Sequence, residues 1–157
     1  FLGVLNLAFP KSLYVQTAVW QAENAGILPG SQKLTKGLFA YHRTASRLQT
    51  LGSLLTPASG SFSIVLLDSA LWSRYVSLPD GYSVSVHVDG PGKGDVVVVT
   101  HGKVLSALLD GSLDAETAEA YGLVRYYGPL DRQNSVRVAL AGVSRSAVSG
   151  GESNQGG

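Results

Sequence analysis

The chain contains no cysteine and no methionine in 157 residues, and only 15% of its residues are charged. Without cysteine there can be no disulfide scaffold, zinc knuckle, iron–sulfur cluster or thiol nucleophile. Long hydrophobic runs are also lacking. The apolar opening, Phe1–Phe9, falls well short of the roughly 20 residues needed to span a bilayer. No G-x-S-x-G segment is present, so a hydrolase serine has no strained elbow to expose it. There is no C-x-x-C-H motif for haem attachment either. Net charge is only +1, which offers no electrostatic case for nucleic acid at the level of the whole chain.

Hydrophobic residues make up 45% of the chain, which argues against disorder over most of its length. The 19 glycines follow no three-residue period, so collagen is excluded. Charge is unevenly spread. Residues 1–60 carry Lys11, Lys33, Lys36, Arg43 and Arg47 against Glu23 alone, residues 61–120 are net acidic, and residues 121–157 are again basic. That pattern is either ordinary surface variation or a basic first third lying near anionic lipid or an acidic partner. The chain opens on Phe1 rather than Met, which raises the expectation of an upstream piece. Phe1–Phe9 would then be the end of a signal peptide or anchor, with Pro10-Lys11 at the water boundary. The other reading is an N-terminal strand or staple packed on the core. The first reading leads us to expect an exported or membrane-anchored protein, with the bacterial periplasm favoured.

Helical spacing is clear from Tyr14 to Ala25 and again from Thr35 to Leu55, where Leu38, Phe39, His42, Ala45, Leu48, Gln49 and Leu55 recur on successive turns. After a loop at 56–61 the period becomes two. Strands are expected at Phe62–Leu67, Trp72–Val76 and Tyr82–Val88. In the last of these, Tyr82, Val84, Val86 and Val88 face inward, and Ser83, Ser85 and His87 face out. The continuous run Val96–Val99 reads as a strand covered on both faces. A leucine helix follows and stops at Asp110-Gly111. Asp114 can cap a second short helix over 115–121, with Gly122 at its end. A strand at Leu123–Tyr127 precedes a terminal helix to about Leu140, and residues 144–157 read as a disordered tail. The order predicts an α+β fold with a mostly antiparallel sheet and two N-terminal helices. The divisions are 1–60, an apolar segment plus helices; 61–143, the α+β domain; and 144–157, the tail.

Gly90-Pro-Gly-Lys-Gly94 has the composition of a phosphate loop, but a strand follows it and Gly94 stands where Ser or Thr would be, so a hairpin loop is expected. His87, Asp89, Asp95 and His101 flank that loop and would converge on a metal only if strands 82–88 and 96–100 paired. His101 would otherwise begin the helix carrying Leu105. His42, among apolar helix positions, is expected to be half-buried. The aromatic residues form no pattern with basic ones that would suit single-stranded nucleic acid. No catalytic residue, metal ligand or cofactor site emerges, and no enzyme activity is expected.

Residues 61–140 carry a further pattern. Phe62-Ser-Ile-Val-Leu-Leu and Tyr82–Val88 lead to Asp95-Val-Val-Val-Val-Thr100, then Lys103-Val-Leu-Ser-Ala-Leu-Leu-Asp-Gly111, Ser112-Leu-Asp-Ala-Glu-Thr-Ala-Glu-Ala120 and Gly122-Leu-Val-Arg-Tyr-Tyr-Gly128. In this order the segment resembles the sterol carrier protein type 2 family. The resemblance implies a non-enzymatic domain, a curved sheet covered by helices, with an apolar tunnel for a lipid, acyl chain, sterol or prenylated quinone. Tyr82, Val84 and Val86, with Leu105, Leu108 and Leu109 above them, would line either that tunnel or a closed core. Residues 1–60 lie outside the resemblance and are expected to cover the tunnel mouth or hold a membrane or membrane-protein partner. The alternative is a membrane-anchored accessory or structural subunit of a larger complex, with no ligand.

Overall fold

The computed structural model describes residues 2–29, 38–57 and 60–153. Three helices, α1 (Leu2–Ala8), α2 (Tyr14–Asn24) and α3 (Leu38–Leu54), precede the strands β1 (Phe62–Leu66), β2 (Leu71–Leu78), β3 (Gly81–Val88) and β4 (Val96–Thr100). Then follow α4 (Gly102–Asp110), α5 (Ala115–Ala120), β5 (Arg125–Tyr127) and α6 (Leu130–Ser153). The strands form one open sheet in the order β3-β2-β1-β4-β5. Three pairings are antiparallel, and β1 with β4 is parallel. The α+β class and the mostly antiparallel sheet are as expected.

Every residue of β1 and β4 is buried. Two helical layers explain this. On one face, Phe62, Ile64, Tyr75, Val84 and Val98 share a side by register. There the Tyr75 hydroxyl donates to the Leu48 carbonyl of α3 at 2.9 Å, and the Arg137 guanidinium of α6 lies 4.7 Å from the Tyr126 ring. On the other face, Phe9 wedges between Trp72 and Tyr127, with ring centroids 6.1 and 5.4 Å away, and the Tyr127 hydroxyl donates to the Pro10 carbonyl. The continuous apolar spelling of β4 is therefore the mark of a strand buried from both sides, as read.

Several expectations are corrected. The opening segment is a helix rather than a strand, and it is Phe9, beyond the end of α1, that staples it to the sheet. Segment 89–94 is not a hairpin loop: it carries the chain from the edge strand β3 past β2 and β1 to β4. Such a connection has the same Gly-Pro-Gly chemistry as a hairpin, so composition alone does not separate them. In β3 the register shifts between Trp72 and Ser73, which pair with Val88 and Val86. His87 is thus the extra residue of a β-bulge, with φ at 67°, and Val88 moves to the face opposite Val86. Finally, α6 continues to Ser153, past the end expected near 140, so the backbone of residues 144–153 is helical where a disordered tail was expected. The remaining four residues of that tail, and the start of the expected second helix at 35–37, lie outside the described residues.

The helix ends follow local chemistry. Asp114 caps α5, accepting from the Thr117 amide at 2.8 Å, and His101 caps α4, accepting through Nδ1 from the Lys103 amide at 3.1 Å. Gly111 ends α4 in the left-handed conformation at φ 80°, where a side chain would be strained.

Candidate functional site

The face of the sheet under α3 is the candidate site. It is built from the β2–β3 ribbon and β1. Phe62 stacks on Tyr75 with centroids 4.8 Å apart and interplanar angle 8°, and Tyr82 meets Phe62 edge-on at 5.6 Å. Its buried hydroxyls are satisfied internally. Tyr75 donates to Leu48, Thr100 donates to the Leu123 carbonyl at 2.9 Å, and Ser73 is turned to the Ile64 carbonyl at 3.5 Å. Burial pushes the Tyr75 phenol well above its usual range, so it stays neutral. Among the described residues this face offers carbon and no buried side-chain polar atom left without a partner, which suits an apolar ligand better than a polar one.

One helix closes this face over the edge strand. Gly52 is at the point of closest approach: a Cβ built there would lie 2.2 Å from Val84 Cγ2 and 3.5 Å from Tyr75 Cε1. Leu48, Leu51 and Leu55 are the buried stripe around it. The first half of α3 is different. Phe39 is 81% exposed and Tyr41 42% exposed, and the Tyr41 ring stacks on His87 at 4.2 Å and 14°. His42, expected to be half-buried, is exposed, and its ring meets Tyr41 edge-on. The stripe read from the sequence began a turn too early and put Phe39 and His42 on the buried side.

The six residues expected to line a ligand site all lie within this helical side of the molecule, in two groups. Tyr82, Val84 and Val86 are half-buried along the open edge of β3, beneath α3. Leu105 and Leu108 are buried and Leu109 half-buried in α4, which packs against α3 and α6 rather than against β3. The structure therefore joins the two groups through α3 instead of setting one directly above the other.

The residues considered for a metal do not converge. Asp95 is half-buried on the opposite face, with its side chain only 2% exposed. Its carboxylate accepts from Arg74 Nε at 2.9 Å and Nη2 at 3.2 Å, from Ser63 Oγ at 2.8 Å and from the Gly92 amide at 3.1 Å. Burial pushes the Asp95 carboxyl up, but these hydrogen bonds and the Arg74 charge outweigh it and hold it below the usual range. His101 is spent as a helix cap. Burial lowers its pKa despite Asp68, whose carboxylate is 3.9 Å away. Among the described residues no group of histidines and carboxylates could hold a metal ion, and no helix is long and apolar enough to cross a membrane. Sequence reading missed two features: the Arg74–Asp95 pair and the Tyr41–His87 stack. The first had a signal, a lone acid immediately before four valines, which must find a partner when the strand is buried. The second had none, because it depends on the bulge.

The fold and this face define an open five-stranded α+β domain with an apolar, helix-covered edge. No protein-family model matches the chain, and no curated protein matches it. Among solved structures, it is similar to UbiJ-SCP2, described as a ubiquinone synthesis protein (17% identity, covering 68% of this chain and 99% of that one, TM-score 0.47). It is similar also to the sterol carrier protein domain 2 of Helicoverpa armigera (12% identity, 74% and 96% covered, TM-score 0.48). A third is the inverting sec-alkylsulfatase Pisa1 from Pseudomonas sp. (18% identity, TM-score 0.47), where 59% of this chain spans 15% of the enzyme's length. Sterol carrier protein domains recur among these neighbours.

Proposed function

We propose that the chain is a non-enzymatic carrier domain that holds an apolar ligand (a lipid, an acyl chain or a prenylated quinone) between α3 and the β2–β3 edge of the sheet, and that it works at a membrane. The observation that carries this reading is the half-buried row Tyr82, Val84 and Val86, closed by a helix whose own first half is left exposed. Movement of that half uncovers carbon and breaks no hydrogen bond of the sheet. Export or membrane anchoring goes with the same reading, supported by the exposed Val4 and Leu7 of α1. A second reading, an accessory subunit of a membrane complex without a ligand, is favoured by the exposed Val4, Leu7, Trp20 and Phe39 within residues 1–60.

The test is titration of the delipidated protein with a fluorescent long-chain fatty acid. Saturable, one-site binding is expected. Affinity should rise roughly tenfold for each two methylenes added until the seam is full, at about 0.8 kcal/mol per buried methylene. Absence of saturable binding across chain lengths overturns the carrier and leaves the subunit reading.

A further inference from the structure

The face of the sheet away from α3 carries a second feature. Between α1 and α2 the chain turns sharply at Pro10–Leu13, and a cleft of about 350 Å³ opens there, lined by Asn6, Lys11, Leu13 and Tyr14. Lys11 stands exposed at the corner with φ at 69°. The Arg125 guanidinium lies 6.0 Å from the Tyr14 ring, and its buried Nε has no hydrogen-bond partner. The hydroxyl of Ser12, wholly buried between two residues of the cleft wall, has none either. Among the described residues no ion pair reaches Lys11 or Arg125. No carboxylate occurs from Leu2 to Ala22, and the next one, Glu23, is paired with Lys103. Arg125 is half-buried, and the two helices that meet at the elbow also carry exposed apolar side chains: Val4 is 72% exposed, Leu7 84%, Tyr14 60% and Trp20 60%.

Cations with no carboxylate partner, together with exposed aliphatic and aromatic side chains, match a surface that is anionic outside and hydrocarbon within. A soluble acidic partner would leave Val4 and Leu7 in water, and a purely apolar partner would leave Lys11 and Arg125 without counter-charge. We propose that the α1–α2 elbow docks on an anionic phospholipid surface. Lys11 and Arg125 face the lipid phosphates, Val4 and Leu7 enter the acyl boundary, and Tyr14 lies at the interface between them. The inference extends the membrane part of the proposed function and gives it a place and a ligand chemistry. It also sets an orientation. The elbow lies on the face of the sheet opposite α3, so a docked domain keeps its ligand cover on the side away from the bilayer.

The test uses the full chain in co-sedimentation with vesicles of phosphatidylcholine, with and without phosphatidylserine. Binding is expected only with phosphatidylserine, and it should weaken as salt rises. Lys11→Gln should lower vesicle affinity about fivefold, the equivalent of about 1 kcal/mol per basic residue at an anionic surface. Leu7→Asp should abolish vesicle binding. Both positions are exposed, so thermal melts should show wild-type folding, and fatty-acid titration in solution should be unchanged. Equal binding to both vesicle types, or binding insensitive to Lys11→Gln, overturns the proposal, as does no binding to either. A concentration-dependent dimer lost in Leu7→Asp, with no vesicle binding, assigns the surface to a second copy instead and also overturns it. Loss of fatty-acid binding with vesicle docking intact would sink the carrier reading while leaving the elbow standing. The converse result would do the opposite.

Discussion

The two faces of the sheet are covered by helices, yet the covers are fastened by different physics. On the α1–α2 face, Phe9 is wedged between two aromatic rings, and a buried carboxylate ties together β1, β2 and the loop before β4 through Ser63, Arg74 and Gly92. Polar groups here are directional and hold strands in register. On the α3 face, contact is almost wholly apolar and runs through a glycine, Gly52, with a single aromatic stack at the far end of the helix. Apolar contact is non-directional, so a helix can shift over it or make room for a third party at modest cost. The same sheet thus carries one cover fastened by directional polar groups and one fastened chiefly by apolar contact.

Breaking the fixed face should cost most. Asp95→Ala leaves Arg74 and the Ser63 hydroxyl without their acceptor, and it should destabilise the protein by about 2–4 kcal/mol, read from urea denaturation. The pH dependence follows from the lowered pKa of Asp95. Because the folded value lies below the unfolded value of about 3.9, the carboxylate's contribution is complete above that unfolded value. It is lost as pH falls through the folded one. Stability of the wild type should therefore drop on acidification below about pH 4, and Asp95→Ala should show a shallower drop.

A smaller effect is expected under α3. Gly52→Ala brings a methyl group into Val84 Cγ2, a stiff β-branched neighbour, and should cost about 1–2 kcal/mol after the gain in helix propensity is counted. It should also weaken fatty-acid binding. Val84→Ala in the same chain should restore room and recover much of the loss, giving a coupling free energy that two independent sites would not show. Smallest is Tyr41→Ala, which removes one exposed stack worth about 0.5–1 kcal/mol. Its thermal melt should move little, while amide exchange in residues 38–47 should speed up. If Tyr41→Ala destabilised as much as Asp95→Ala, the contrast between the two faces would fail.

Much of this architecture was legible in the sequence, and the gaps have physical causes. Val96–Val99 announced a strand covered on both sides, because no polar residue interrupts it, and Asp114 and Gly111 marked helix ends by capping chemistry alone. Three features were hidden. The position of β4 beside β1 depends on a long-range parallel pairing that no local period encodes. The bulge at His87 leaves the alternation from Tyr82 to Val88 looking unbroken, although one residue has been looped out. The buried stripe of α3 has a glycine at its centre, Gly52, and a residue without a side chain adds nothing to an apolar pattern although it is the point of closest approach. For the candidate site, the six apolar residues named from the sequence fall in two groups, three on β3 and three on α4, which meet through α3, and the stripe read for that helix wrongly included the exposed Phe39 and His42.

The central claim is that α3 is a movable cover over an apolar seam, and hydrogen exchange of its amides tests that most directly. In the ligand-free protein, amides of residues 38–47 should exchange far faster than those of β1 and β4, and saturating fatty acid should change protection along α3 and β3 while leaving α1 and α2 as they were. Amides of α3 as slow as those of β4, and unaltered by the fatty acid, would contradict it.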